Sequence, residues 1–377
     1  MNSIILLSVC LTIGYLFLIG YCIYGWISIG KTTANTGKAY STKISVVIPV
    51  RNEEENILRC LQSINNQAYP KSLFEVIISD DGSSDSTPDK IRNFIKGRSP
   101  GDITLKYIQN IGIGGKKQAI ASAVNIAQGE LIVCTDADCV SFSRWLCSIA
   151  DYYERFHPDI IAGPVCYEGE RTLLEKFESL EFIGLQAVTG GFIKNGVPLM
   201  CNGANLAYSK KSFIRAGGFG SNTHFASGDD VVMMFKIAAS GGSVHFLKSR
   251  EAIVFTAPAK TWRMFLQQRK RWASKIFHTR QGNVIVVGGI VYLFNASVLI
   301  NITLAFINTH YLEILLFQGG GRIFFEGILL MTGTSFFKRN TLLFLFLPAQ
   351  FFYLPYVIIT GIISRVGKYQ WKGRTVK

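Results

Sequence analysis

Residues 4–29 are apolar and carry no charge, and roughly 20 such residues suffice to cross the hydrocarbon core of a bilayer. A cleaved leader would have a shorter apolar stretch behind a basic start. This one is longer and has no Lys or Arg before it. The segment 1–30 therefore reads as a transmembrane anchor. Lys31, Lys38 and Lys43 follow it. By the excess of basic residues on the inner side, the N-terminus is expected outside and the next region in the cytoplasm, at the plasma (inner) membrane.

The chain turns apolar again over 284–364, with candidate spans at 284–307, 311–336 and 341–363. The middle one is interrupted by Glu313, Gln318, Arg322 and Glu326, and Gly319-Gly320-Gly321 weakens a helix there. If all three cross, the basic tail 365–377 lands outside. If two cross, it stays inside, as charge bias prefers. Three and four spans in total both stay open.

Composition adds little to this but excludes something. The net charge of +14 comes from Lys and Arg that gather beside the apolar segments (260–280, 338–339, 365–377). That suits an anionic lipid surface. No nucleic-acid module accompanies it, so no nucleic-acid partner is expected. The eight Cys form no CxxC pair, which points to reduced, mostly buried thiols and a cytosolic setting.

Between a polar linker (31–42) and the second apolar region lies a globular stretch, 43–280. Near-continuous apolar runs at 44–50, 74–79, 104–108 and 130–135 read as buried strands. Helices are expected at 53–66, 88–95 and 117–128. This alternation predicts an α/β domain with a mostly parallel sheet, flanked by transmembrane helices.

In such sheets ligands sit beyond the carboxyl ends of the strands. Asp80-Asp81-Gly82-Ser83 ends the second strand. It reads as a strand-to-helix turn, or as a carboxylate that accepts hydrogen bonds from a ribose or a base. Asp136-Ala137-Asp138 ends the fourth strand, where alternation sets both side chains on one face. Like charges that close repel unless a cation joins them, and a hard ion shared with phosphates, Mg²⁺ or Mn²⁺, meets that need. Asp229-Asp230 open an apolar helix, as charges that suit its dipole or as a general base. Gln268-Arg269-Lys270-Arg271-Trp272 reads as a lipid-facing basic stripe, or as a diphosphate and sugar contact through Arg271 and Trp272.

Taken in order, these stations resemble the family 2 glycosyltransferases of GT-A fold. Pro49, Asn52 and Glu53 resemble the family's opening PxxNE, Asp80-Asp81-Gly82-Ser83 its DDGS, and Gly115-Lys116 with Ala119 its GKxxA. Asp136-Ala137-Asp138 resembles the DxD, Gly228-Asp229-Asp230 the GED station with Asp229 in place of Glu, and Gln268-Arg271-Trp272 the QxxRW. QxxRW is similar to the membrane subset that includes cellulose, hyaluronan and poly-N-acetylglucosamine synthases and ceramide glucosyltransferases. The apolar tail is shorter than in the polymer-extruding members, which argues against a self-made channel.

The resemblance implies an inverting, metal-dependent hexosyltransferase of cell-envelope glycan synthesis. Its donor is a nucleotide sugar, expected to carry UDP, and its acceptor a lipid-linked or polysaccharide chain. Membrane lipids and envelope-synthesis proteins are the implied partners. Asp230, with Asp229 beside it, would be catalytic; Pro49, Asn52, Glu53, Asp80, Asp81, Lys116 and Asp136 would bind donor. Asp138 and Asp136 would hold the metal, and Gln268, Arg271 and Trp272 would serve acceptor and diphosphate. Two other readings stay open: an inactive membrane scaffold, and a nucleotidyltransferase on a similar fold.

Overall fold

The computed structural model describes residues 2–34, 37–99, 101–110, 115–220, 228–279, 281–363, 369–371 and 374–376. A long apolar helix, α1 (Asn2–Ser28), leads into β1 (Ile44–Val50), α2 (Ile57–Asn65), β2 (Phe74–Asp80), α3 (Thr87–Lys96), β3 (Thr104–Gln109), α4 (Gly115–Ile126) and β4 (Leu131–Cys134). The next elements are β5 (Val140–Ser141), α5 (Trp145–Phe156), β6 (Ile160–Ala162), β7 (Val165–Tyr167), α6 (Leu173–Lys194), β8 (Leu206–Ser209), α7 (Lys210–Arg215) and α8 (Asp229–Ala239). Two short strands, β9 (Val244–Phe246) and β10 (Val254–Thr256), precede α9 (Trp262–Thr279). The chain closes with α10 (Gly282–Ala305), α11 (His310–Phe337), α12 (Phe346–Ile363) and a small hairpin, β11 (Tyr369–Trp371) with β12 (Arg374–Val376).

The main sheet has seven strands in the order β3-β2-β1-β4-β8-β6-β9. β1 pairs in parallel with β2 and β4, β2 with β3, and β6 with β9, while β8 runs antiparallel to both its neighbours. The sheet is therefore mostly parallel, with one reversed strand. A second sheet of three strands, β5-β10-β7, stands beside it. β1 and β2 are buried along their whole length, because helices cover both faces of a parallel sheet. The strand order reverses between β1 and β4, which is where α/β sheets open a ligand crevice.

One expected boundary moves. The first helix starts at Ile57, not Glu53, because Glu53 to Asn56 form a turn. The Glu53 carbonyl accepts from the amides of Asn56 (3.0 Å) and Ile57 (2.9 Å), and the Glu53 amide donates to Thr87 Oγ1 at 2.8 Å.

Among the described residues, four helical segments are long and apolar enough to cross a membrane: 3–28, 282–305, 310–337 and 340–363. The doubtful middle span is one continuous helix, α11. Glu313 is exposed near its start, whereas Gln318, Arg322 and Glu326 face the bundle. Gln318 donates to Ser297 (3.0 Å) and Thr12 (3.2 Å), and Asn301 donates to Gln318 at 2.9 Å. Arg322 pairs with Glu326 at 3.0 Å and with Asn295 at 3.2 Å, and Tyr15 donates to Glu326.

α6 ties this bundle to the α/β domain, packing on α1 and α11 and also on β7 and β9. Its approach to α1 depends on glycine. A Cβ on Gly191 would sit 2.3 Å from the Cys22 carbonyl oxygen, and one on Gly25 would sit 2.2 Å from that of Gly191. Asn195 and Tyr21 lock the crossing with reciprocal bonds of 2.8 and 3.1 Å. Buried Lys248 donates to the Trp26 carbonyl near the end of α1 and lies 3.9 Å over the Trp26 ring. Burial lowers its pKa to about 8.

Gly191→Val is accordingly expected to force α1 away from α6 and lower the thermal midpoint of the detergent-purified protein, at a cost of about 1–3 kcal/mol or more. Gly14→Val, where a Cβ meets nothing within 4 Å, serves as the control and should leave the midpoint unchanged.

Candidate active site

The loops after β1, β2 and β4, the start of α4 and the start of α8 converge on one cleft. β1 hands the chain to Arg51 and Asn52, the latter at φ 51°. Asn52 accepts from the Ser84 amide at 2.9 Å and donates its own amide to Ser83 Oγ at 3.0 Å. Asp80 is fully buried. Its Oδ1 accepts from both the amide and the hydroxyl of Ser83 at 2.8 Å, and its Oδ2 from Tyr107 at 2.7 Å. Asn52 and Asp80 thus build the turn. Neither lines the cavity, whereas Pro49, Glu53 and Asp81 do. Asp81 accepts from the Gly115 amide at 2.9 Å, and Arg51 reaches the Asp81 and Gly82 carbonyls from the opposite side.

Gly115 starts α4 at φ +69°, a conformation that glycine adopts without strain, and sets Lys116 into the cleft. The Lys116 ammonium lies 2.7 Å from Asp136 Oδ1 and 3.3 Å from Asp229 Oδ2. Burial alone would lower its pKa. Asp136, Asp229 and Asp230 outweigh that and hold it well above the ordinary lysine value. Lys116 is therefore a fixed positive charge that joins the end of β4 to the start of α8.

β4 ends at Cys134, so Asp136 and Asp138 sit in a turn and not on a strand. The turn still brings their carboxylates together, with the Cys139 thiol, within 4.8 Å. Asp138 is the exposed member, with Thr256 Oγ1 3.5 Å from its Oδ2. Burial, then Asp138 and Asp136, push the Cys139 thiol well above its usual pKa, so it stays neutral. The donor set is two carboxylates without a thiolate, which fits a hard ion such as Mg²⁺ or Mn²⁺ and not a soft one.

Gly228, at φ 85°, caps α8, and both aspartates behind it are nearly buried. Asp230 Oδ2 accepts from the Gly203 amide at 3.2 Å and its Oδ1 from the Val231 amide at 2.8 Å. A Cβ at Gly203 would stand 3.3 Å from Asp229 Oδ2 and 3.4 Å from Lys116 Nζ, so this glycine leaves the room above the pair. The part of Asn202-Gly203-Ala204 in holding Asp230 is legible only once β8 is known to lie beside β4.

From the side of the apolar helices, α9 closes the cleft. Gln268, Arg271 and Trp272 line the same cavity as the aspartates. Arg269, which the sequence places in a surface stripe, is 3 % exposed. It lies 4.3 Å over the Trp272 ring and is bound by Glu181 of α6. The cavity has a volume of about 1000 Å³ and continues past α9 between α10 and α12, where Val284, Gly288, Val291, Val357 and Ile362 line it.

Residues 45–217, most of the α/β domain, match the family model for Glycosyl transferase family 2. Glycosyltransferase AglE of Haloferax volcanii is 27 % identical over 60 % of this chain and 71 % of its own length. The poly(ribitol-phosphate) beta-glucosyltransferase of Bacillus spizizenii is 36 % identical over 32 % of this chain, and the match spans 19 % of that longer protein. Among solved structures, the mannosyltransferase PcManGT from Pyrobaculum calidifontis, in complex with GDP-Man and Mn²⁺, superposes with a TM-score of 0.62 at 17 % identity. The superposition covers 96 % of this chain and 98 % of that one. The shared fold is GT-A together with its helical additions.

Two substitutions separate scaffold from site. Asp80→Ala removes the acceptor for the Ser83 and Tyr107 bonds, and a loss of about 1–3 kcal/mol should show as a lower thermal midpoint. Asp138→Asn should leave the midpoint in place and weaken Mn²⁺ binding at least about tenfold, the ratio for 1.4 kcal/mol, read as free Mn²⁺ by electron paramagnetic resonance.

Proposed function

We propose that this protein is a membrane-bound, inverting glycosyltransferase that moves a sugar from a nucleoside-diphosphate donor, expected to be UDP-linked, to a lipid-linked acceptor. The observation that carries the reading is the continuity of one cavity, from the aspartates at the strand ends to the apolar space between α10 and α12. A soluble acceptor has no use for that second half. An extended glycan would meet aliphatic walls there, which favours a lipid over a polysaccharide.

Asp81, at the end of β2, accepts hydrogen bonds from the nucleoside, with Pro49 and Glu53 beside it. Asp230 takes the proton from the acceptor hydroxyl, whose oxygen then attacks the anomeric carbon while the bond to the diphosphate breaks. A single displacement inverts the configuration. Lys116 and Arg271 offer positive charge to the departing diphosphate, and Asp229 keeps Lys116 in place. Asp136 and Asp138 would hold Mg²⁺ or Mn²⁺, which when bound neutralises charge on the diphosphate. Trp272 offers a ring face to a sugar.

The same proposal covers orientation. Arg339, just before α12, donates to Glu170 (3.3 Å) and to the Tyr167 carbonyl (3.1 Å). β11, just after α12, packs on α9. Both ends of this segment stand beside the α/β domain, and Pro355 interrupts its hydrogen bonding. α1, α10 and α11 then cross the membrane, α12 lies along its boundary, and the basic tail stays with the domain in the cytoplasm, as charge bias prefers.

With detergent-purified protein, Mn²⁺ and a panel of nucleotide sugars, release of nucleoside diphosphate should depend on both metal and membrane lipid. Asp230→Asn should lower it by about 10²–10⁴ without loss of nucleotide binding. No binding of any nucleotide sugar would leave an inactive scaffold as the reading. Release of pyrophosphate from nucleoside triphosphates would make it a nucleotidyltransferase.

A further inference from the structure

Glu178 and Glu181 lie one turn apart on α6, the first fully buried and the second with its side chain 8 % exposed. The Arg269 guanidinium donates from Nε (2.9 Å) and Nη2 (2.6 Å) to Glu181 Oε2, and Nη1 lies 3.6 Å from Glu178 Oε1. The other oxygen of Glu181 accepts from the Tyr356 hydroxyl of α12 at 2.8 Å. Glu178 Oε2 accepts from the Ala259 amide at 2.7 Å, which fixes the approach to α9.

The same guanidinium also touches two residues of the site. Nη1 donates to Gln268 Oε1 at 2.5 Å, and the group lies 4.3 Å over the Trp272 ring, which leans on Phe182 of α6 at 5.8 Å. A planar, buried, doubly bonded arginine cannot turn without breaking these contacts, so it fixes the rotamers of both neighbours. At the far end of the chain of bonds, Tyr356 packs on Phe265 at 5.4 Å. Tyr356 itself lines the cavity with Val357 and Thr360 of α12, and Glu181 and Arg269 form part of the same wall.

We propose that Arg269 is a positioning residue, and that the Tyr356–Glu181–Arg269 link transmits the seating of α12 against the apolar half of the cavity to Gln268 and Trp272 on the acceptor side. The inference rests on the transferase reading. It assigns no chemistry to the three side chains. What they determine is where the acceptor is held when that half is filled.

Tyr356→Phe tests it gently, since the ring stays and only the hydroxyl leaves. Full-length protein in phosphatidylglycerol vesicles would be given UDP-glucose and GDP-mannose, with dioleoylglycerol or a polyprenyl phosphate as lipid. Wild-type transfer to either lipid defines the assay. The variant should then raise the acceptor KM roughly tenfold, as expected for loss of a hydrogen bond to a charged group, with the donor KM within about twofold of wild type by the same scale. Arg269→Lys, which keeps charge but loses the fork, should show the same split. Equal changes in both KM values, or a lower thermal midpoint with normal kinetics, would reduce the link to fold support and overturn the proposal. No transfer by the wild type with any donor would overturn the transferase reading, and the inference with it.

Discussion

The cleft gathers three aspartates, Asp136, Asp229 and Asp230, around one ammonium, and the rest of the arrangement depends on that charge balance. Carboxylates placed this close raise one another's energy unless a cation lies among them. Lys116 bridges Asp136 and Asp229, which follow β4 and start α8 and are distant in sequence. The bridge fixes how the turn after β4 faces α8, and hence how far Asp230 stands from Asp138. It also occupies Asp136 and leaves Asp138 as the more exposed carboxylate of the turn. Replacement of Lys116 by an apolar residue would leave nearly buried carboxylates uncompensated, the costly case for a buried ion pair.

A second constraint comes from the side of the apolar helices. α6 belongs to the α/β domain by its contacts with β7 and β9, and to the helical bundle by its contacts with α1 and α11. Gly190 and Gly191 bring its backbone onto Trp26 and Cys22 of α1. Roughly three turns nearer its start, at 3.6 residues per turn, Glu178 and Glu181 hold Ala259 and Arg269. The apolar helices thus pack directly on the α/β domain through α6.

Much of this was legible in the sequence, for reasons that differ by element. β1, β2 and β4 announce themselves because strands covered on both faces must be apolar throughout, and the acidic turns after them mark the crevice side. β8 does not, because four residues after a turn carry no sign of the direction in which they pair. The first helix starts late because Glu53 turns toward Thr87, a tertiary contact that no local propensity encodes. The span over α11 looked interrupted because hydropathy sums along the chain and takes no account of faces: Gln318, Arg322 and Glu326 all point at partners on α1 and α10. In the site, Asp81, Lys116, Asp136, Asp138, Asp229, Asp230, Arg271 and Trp272 do line one cavity. Asp80 and Asn52 shape its wall from behind. Arg269 reads as part of a surface stripe because only α6, distant in sequence, supplies the carboxylates that bury it.

The central claim is that sugar transfer and lipid binding share one cavity. The most direct measurement is a structure of the protein in a lipid nanodisc with a nucleoside diphosphate and Mn²⁺. The account predicts the nucleoside against Asp81, the diphosphate between Asp138 and Arg271, and an acyl or prenyl chain between α10 and α12. A nucleotide bound elsewhere, or α12 packed shut on α10 with lipid excluded from the apolar half, would contradict it.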